Sequence, residues 1–287
     1  MEGIGFHASR VQVKGIWVPS FLYGTAWKKD DTQRFVTMAL AAGFRGIDTA
    51  NQRKHYHEVG VGDALRIAFD AGMPRESLFI QTKFTQRPGQ DHRLPYDERA
   101  PIAEQVRQSF ESSCEHLHVD VIDSYVLHGP SASVGLPQCD LDAWRAMEDL
   151  HTAGRTRLLG VSNVTAEQLA LLCKVARVPP AMVQNRTYAR TGWDRDVRVV
   201  AKQNGVVYQG FSLLTANAEE LKSPVFDRIA RRTGMTRSQI VFRFAMQLGM
   251  ICLTGTTSEA HMKEDLATSE EPLSDEEIAL LENVSGP

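Results

Sequence analysis

The chain has 287 residues, 43% of them hydrophobic, which is enough apolar material for one large core or two ordinary ones. A formal net charge of −3 and a pI near 6.3 argue against a protein that holds nucleic acid or a membrane surface by bulk electrostatics.

In chain order, "RVQVKG" and "IWVPS" predict an N-terminal β-hairpin. "SFLYG" (20–24) predicts a strand, followed by a helix over 31–42 that Gly43 ends as a C-cap. "FRGID" (44–48) precedes a helix near 59–70, and "SLFIQTK" (77–83) precedes a long Pro- and Gly-rich loop and a helix over 100–117. "VDVIDSYVLH" (119–128) precedes a helix over 140–154, and "TRLLGVSN" (156–163) precedes one over 165–176 with a Thr165/Gln168 capping box. "PAMVQN" (180–185) leads to a helix near 193–204, and "GVVYQGFS" (205–212) leads to helical segments that include 236–249. "MICLTGTTS" (250–258) precedes a helix over 259–266, and "SDEEIALLE" predicts a capped helix outside the ring.

Eight strand–helix units without a dividing linker predict a single α/β domain over 1–287. The expected fold is a (β/α)8 TIM barrel with an N-terminal β-hairpin over its floor and an extra C-terminal helix. A doubly wound sheet would have fewer units and a Gly-rich nucleotide turn.

Function in such barrels collects where strands run into the following loops. Those positions carry Thr25 and Trp27, Asp48 with Tyr56 beyond it, Lys83, His128, Ser162 and Asn163, then Gln184 and Asn185. Phe211 and Ser212 follow, and the last strand ends in Gly255, Thr256, Thr257 and Ser258. Asp, Tyr, Lys and His on successive strands make one acid–base set. A phenol titrates near about 10, and a neighbouring ammonium would lower that value while a carboxylate holds the lysine in place. Histidine on the next strand could hydrogen-bond a carbonyl or a developing alkoxide. Taken singly, each has a blander reading: Asp48 as a turn residue, Lys83 as an edge charge, His128 as a satisfied core histidine.

With "YGTAW", "GIDTA", "VGVGDAL", "IQTK", "LH", "GVSN" and "VQN" in that order, nearly the whole chain resembles the aldo-keto reductases. The resemblance implies a metal-free barrel that binds NADP(H) in an extended pose and reduces aldehydes or ketones. Asp48, Tyr56, Lys83 and His128 would form the catalytic tetrad. Ser162, Asn163 and Gln184 would hold the carboxamide, Phe211 and Ser212 would flank the nicotinamide, and Trp27 would line the substrate side. Thr25, Gly255, Thr256, Thr257, His261, Glu264 and Asp265 complete the expected cofactor contacts.

Two departures stand out. The family tyrosine commonly lies five residues after the aspartate, where this chain has Arg53; Tyr56 lies eight residues on. Alignment backward from "VGDAL" puts His55 in that register, whereas a family subset with a "KHY-x-E" loop favours Tyr56, so both remain open as proton donor. At the adenine end the usual lysine and arginine that clamp a 2′-phosphate are replaced by Gly255 and His261. NADPH is expected and NADH is possible, with Thr256, Thr257, a helix N-terminus and either His261 or Lys263 facing phosphate.

Other features read as structural. "GVGDAL" (60–65) lacks a third glycine and fits a helix start packed against a neighbour. "HLH" (116–118) ends a helix, where histidines suit the dipole. A zinc site from His55, His57 and Asp48 has nothing else in the loop to support it. Loop 84–100 is expected to wall the pocket, alongside the loops after the fourth and seventh strands. Cys114, Cys139, Cys173 and Cys252 share no close spacing and fit reduced thiols. With no signal-peptide pattern and no membrane-length apolar run, the expectation is a cytoplasmic enzyme acting on a small-molecule carbonyl. The rival is a nucleotide-binding redox sensor or interaction module with little or no turnover.

Overall fold

Apolar runs and amphipathic segments become strands and helices almost one for one in the computed structural model, which describes residues 6–7, 10–268 and 270–286. β1 (Phe6–His7), β2 (Arg10–Val13) and β3 (Ile16–Pro19) form a small antiparallel sheet. Its β2–β3 turn is Lys14–Gly15, with φ of 48° and 79° at the two residues. Two successive positive φ values match the twist of a tight hairpin.

Among the described residues, eight parallel strands close into a barrel. They are β4 (Phe21–Gly24), β5 (Gly46–Asp48), β6 (Phe79–Phe84), β7 (Ile122–Leu127), β8 (Thr156–Ser162), β9 (Met182–Arg186), β10 (Val207–Phe211) and β11 (Met250–Thr254). β11 pairs back onto β4 through Cys252, Leu253 and Thr254. Helices α1 (Thr32–Ala42), α2 (Glu58–Asp70), α3 (Ile102–Leu117), α4 (Gln138–Thr152), α5 (Ala166–Val175) and α6 (Arg195–Gln203) each return the chain to the next strand. α7 (Pro224–Thr233) and α8 (Arg237–Gln247) separate β10 from β11, and α9 (Glu259–Leu266) and α10 (Asp275–Glu282) follow.

Every residue of β6 and β7 is buried, as expected of parallel strands covered on both faces. The hairpin residues Val11, Val13 and Val18 pack against Leu22, Phe79, Leu158, Val207 and Ile251, plugging the barrel floor. A larger cluster that includes Phe44, Phe110, Trp144, Phe226 and Phe244 makes up the main apolar core.

Local chemistry ends the helices where the sequence suggests. Gly43 sits left-handed at φ 116° behind α1, and capping boxes start α5 (Thr165/Gln168), α8 (Thr236/Gln239) and α10 (Ser274/Glu277). Each such cap contributes about 1 kcal/mol. Gly62 in α2 lies so close to α3 that an added Cβ would fall 1.7 Å from the His116 carbonyl oxygen. The glycines of "GVGDAL" thus serve helix packing. α10 is tied to the barrel by Trp193 Nε1 donating to the Leu281 carbonyl at 2.8 Å.

Candidate active site

Strand periodicity turns Gln81 and Lys83 of β6 to the same side, beside Asp48 at the end of β5. Lys83 Nζ donates to both Asp48 carboxylate oxygens at 2.7 Å and to the Thr49 carbonyl at 2.8 Å. All three ammonium donors are therefore engaged. Asp48 Oδ1 also accepts from Gln81 Nε2 at 2.7 Å and from Gln184 Nε2 at 2.9 Å. Those two amides also donate to Gln209 Oε1, at 2.9 and 3.0 Å. Burying an ion pair is costly unless its remaining sites are satisfied, and this amide layer satisfies them. Burial pushes the Lys83 pKa down, opposed by the Asp48 carboxylate and the Glu58 charge.

The lengthened loop after β5 tightens on Gln52, whose carbonyl accepts from His55 N at 3.1 Å and Tyr56 N at 2.9 Å. That turn carries the two candidate donors to different places. The Tyr56 ring lies 5.3 Å from Lys83 Nζ and meets the His128 ring edge-on, with centroids 5.8 Å apart. The His55 ring instead stacks on Trp27, centroid to centroid 4.1 Å.

Burial, and then the Asp48 charge, hold the Tyr56 phenol above its ordinary pKa. The expectation of a lowered value is thereby corrected: the three N–H groups of Lys83 point to Asp48 and Thr49, and none reaches the phenol oxygen. His128 is pushed well below its ordinary value by burial and by the Lys83 charge, so its imidazole is neutral near pH 7. Its Nδ1 shares a 2.6 Å hydrogen bond with Thr85 Oγ1, which leaves Nε2 as the other polar ring atom.

Asp48, Tyr56 and His128 line the inner end of a groove of about 570 Å³. Trp27, Ser162, Asn163, Gln184, Phe211 and Ser212 line it beside them, and Gly255, Thr256, His261, Glu264 and Asp265 line it further out. Asn163 Nδ2 donates to the His128 carbonyl at 2.7 Å and Ser162 Oγ to the Gln184 carbonyl at 2.6 Å. Asn163 Oδ1 and Gln184 Oε1 accept no hydrogen bond from the described residues, which leaves two acceptors beside the groove. At the outer end burial raises the Asp265 carboxyl to about 6, against a 2.8 Å bond from Thr254 Oγ1. Ser258 caps α9 by accepting from His261 N.

Several expected contacts are corrected. Thr25 is fully buried, and its hydroxyl donates to the Asp48 carbonyl at 3.0 Å, away from the groove wall. Thr257 is exposed and does not line the groove, and Lys263 turns outward to pair with Glu259 at 2.6 Å. Loop 84–100 does not wall this groove. It folds back on itself through Tyr96, whose hydroxyl donates to the Thr85 carbonyl at 2.9 Å, and it walls a separate side cavity through Arg93, Leu94 and Pro95. Beyond His128, the loop after β7 likewise stays out, whereas Leu213, Leu214 and Thr215 after β10 contribute.

Lys28 was not anticipated. It is the one lysine or arginine lining the groove among the described residues, and its Nζ donates to the Gly255 carbonyl. Its position directly after Trp27 was the available signal. Gln81 and Gln209 also escaped notice, since they lie inside strands rather than at their ends. As for a metal, no group of three or more His, Cys, Asp or Glu among the described residues is placed to hold one. His57 Nδ1 lies 3.1 Å from the Lys29 carbonyl instead.

A family model described as the aldo/keto reductase family matches residues 14–285. The chain belongs to this family. A curated relative, aldo-keto reductase family 4 member C11 of Arabidopsis thaliana, is 29% identical over 253 residues, covering 80% of this chain and 74% of that protein. The 9,11-endoperoxide prostaglandin H2 reductase of Trypanosoma cruzi is 28% identical, covering 90% and 85% respectively. Among solved structures, an aldo/keto reductase from Brucella melitensis superposes with a TM-score of 0.81 at 25% identity, over 96% of this chain and 98% of that one. An aldo-keto reductase in complex with NADPH gives 0.83 at 24% identity, over 99% and 89%. Nothing in these comparisons supports the reading of this aldo/keto reductase as a non-catalytic sensor.

Proposed function

We propose that this aldo/keto reductase works as one domain and reduces an aldehyde or ketone to the alcohol, with a nicotinamide dinucleotide, NADPH foremost, lying along the groove. The observation that carries this reading is the convergence of Tyr56, His128 and the Lys83–Asp48 pair at the groove's inner end. The groove fits the cofactor in chemistry. Asn163 and Gln184 present amide oxygens to a carboxamide, Phe211 offers a ring face, and Lys28 and the start of α9 offer positive potential to phosphate.

The bound cofactor supplies hydride at the nicotinamide C4 position. The protein's own part is to orient the carbonyl and deliver a proton. A neutral His128 orients the carbonyl oxygen as an Nε2–H donor, with Nδ1 held by the Thr85 hydroxyl. Tyr56, protonated at neutral pH, delivers its hydroxyl proton to the oxygen as negative charge builds there. The phenolate left behind faces Lys83 at 5.3 Å from the ring, and Asp48 holds that ammonium still. Trp27, 66% exposed, and the Leu213–Thr215 segment form the substrate wall. The absence of close cysteine spacing supports a cytoplasmic setting. Oxidation of NADPH and of NADH followed against a generic aromatic aldehyde tests class and cofactor together: turnover with neither would overturn the proposal.

A further inference from the structure

At the opposite end of the barrel, under the strand starts, lies a second cavity of about 450 Å³. It is large enough for a metabolite, and it stands apart from the groove, sharing no residue with it. Four arginines line it: Arg10 from β2, Arg45 just before β5, Arg157 from β8 and Arg243 from α8.

The buried carboxylate in this wall, Asp123, is already saturated. It accepts from Arg75 Nη2 at 2.7 Å, Arg157 Nη1 at 3.0 Å and the Ile80 amide at 2.9 Å. That leaves three guanidinium groups with no carboxylate partner among the described residues. Arg45 donates only to the Leu40 and Phe44 carbonyls, and Arg10 lies over the Trp17 ring at 5.3 Å. Arg243 makes no hydrogen bond with the described residues, and among them its Nε is shut away from solvent without an acceptor. Glu76 and Glu270 also border the cavity, but both are solvent-exposed and neither pairs with a cation among the described residues.

A guanidinium whose fork is unfilled is the side chain best shaped to take two oxygens of one anion at once. We propose that this floor cavity binds a small multivalent oxyanion, a phosphate ester or a di- or tricarboxylate, through Arg45 and Arg243 with Arg10 at the rim. Such a ligand would give the buried Nε of Arg243 its missing acceptor. It would also tie the β2–β3 plug and the α1–β5 turn to α8, so its binding stabilises the fold by mass action.

Calorimetric titration of the intact protein with inorganic pyrophosphate and, separately, with citrate tests this and distinguishes phosphate from carboxylate recognition. Saturable binding of at least one anion is expected, with a rise in Tm. Arg243→Gln and Arg45→Gln should each weaken it about tenfold or more, while Lys28→Gln in the groove leaves it in place. Arg45 is exposed, so its variant reports even if Arg243→Gln does not fold. Failure of both anions to bind saturably overturns the proposal. Binding that survives both floor substitutions, or that Lys28→Gln abolishes, overturns it as well.

Discussion

Lys83 Nζ lies 2.7 Å from each carboxylate oxygen of Asp48, with the two side chains 0% and 4% exposed. Removing one member of such a buried pair strands the other charge. Lys83→Met should therefore destabilise the fold by about 3–5 kcal/mol, read by urea denaturation. Adding Asp48→Leu to that variant should recover part of the loss, because no unpaired charge is then buried. A double substitution as costly as the sum of the singles would show that the two do not act as a pair.

The groove's outer end carries a pH-dependent penalty at Asp265, whose carboxyl is raised to about 6 by burial. An unfolded aspartate titrates near about 3.9. Between those two values the folded state keeps a proton that the unfolded chain has released, so raising the pH through this window weakens the fold. Above the folded value the loss is complete. Asp265→Asn keeps an acceptor for Thr254 and removes the penalty. Its Tm should exceed that of the parent at neutral pH, and the gap should close as the pH falls to about 4. A gap independent of pH would exclude this account.

Cofactor choice should respond to His261. The groove presents one lysine, Lys28, and at its far end His261 stands with the carboxylates Glu264 and Asp265. His261→Arg supplies a permanent, bidentate cation for a 2′-phosphate. The ratio of kcat/KM for NADPH over NADH should rise about tenfold, the effect of one charge-assisted contact. An unchanged ratio would place the 2′-position away from α9.

Much of this site was legible because a barrel strand has a period of two and ends at one face. Asp48, Lys83 and His128 could be placed from apolar runs that stop at a polar residue, and the capping boxes at Thr165 and Ser274 follow local rules. What could not be read depends on where the chain turns or on long-range pairing. Whether Tyr56 or His55 points inward is decided by a turn on the Gln52 carbonyl, one residue's difference that alignment left open. Thr25 looked available but is held under Asp48, and Thr257 points outward. The Gln81–Gln184–Gln209 layer joins strands far apart in sequence, with Gln81 and Gln209 128 positions apart. The Tyr56 phenol was expected to be lowered by Lys83. Its pKa is instead raised by burial and then by the Asp48 charge, and the depth of burial in the folded chain is not disclosed by composition.

The central claim is that Tyr56 donates the proton, and paired variants test it most directly. NADPH oxidation with an aromatic aldehyde should fall at least about a hundredfold in Tyr56→Phe, the usual contribution of a general acid. Cofactor affinity, followed by quenching of tryptophan fluorescence, should hardly change. His55→Ala removes only the ring stacked on Trp27 and should retain turnover within a few-fold of the parent. Survival of aldehyde reduction in Tyr56→Phe, together with its loss in His55→Ala, would contradict the account.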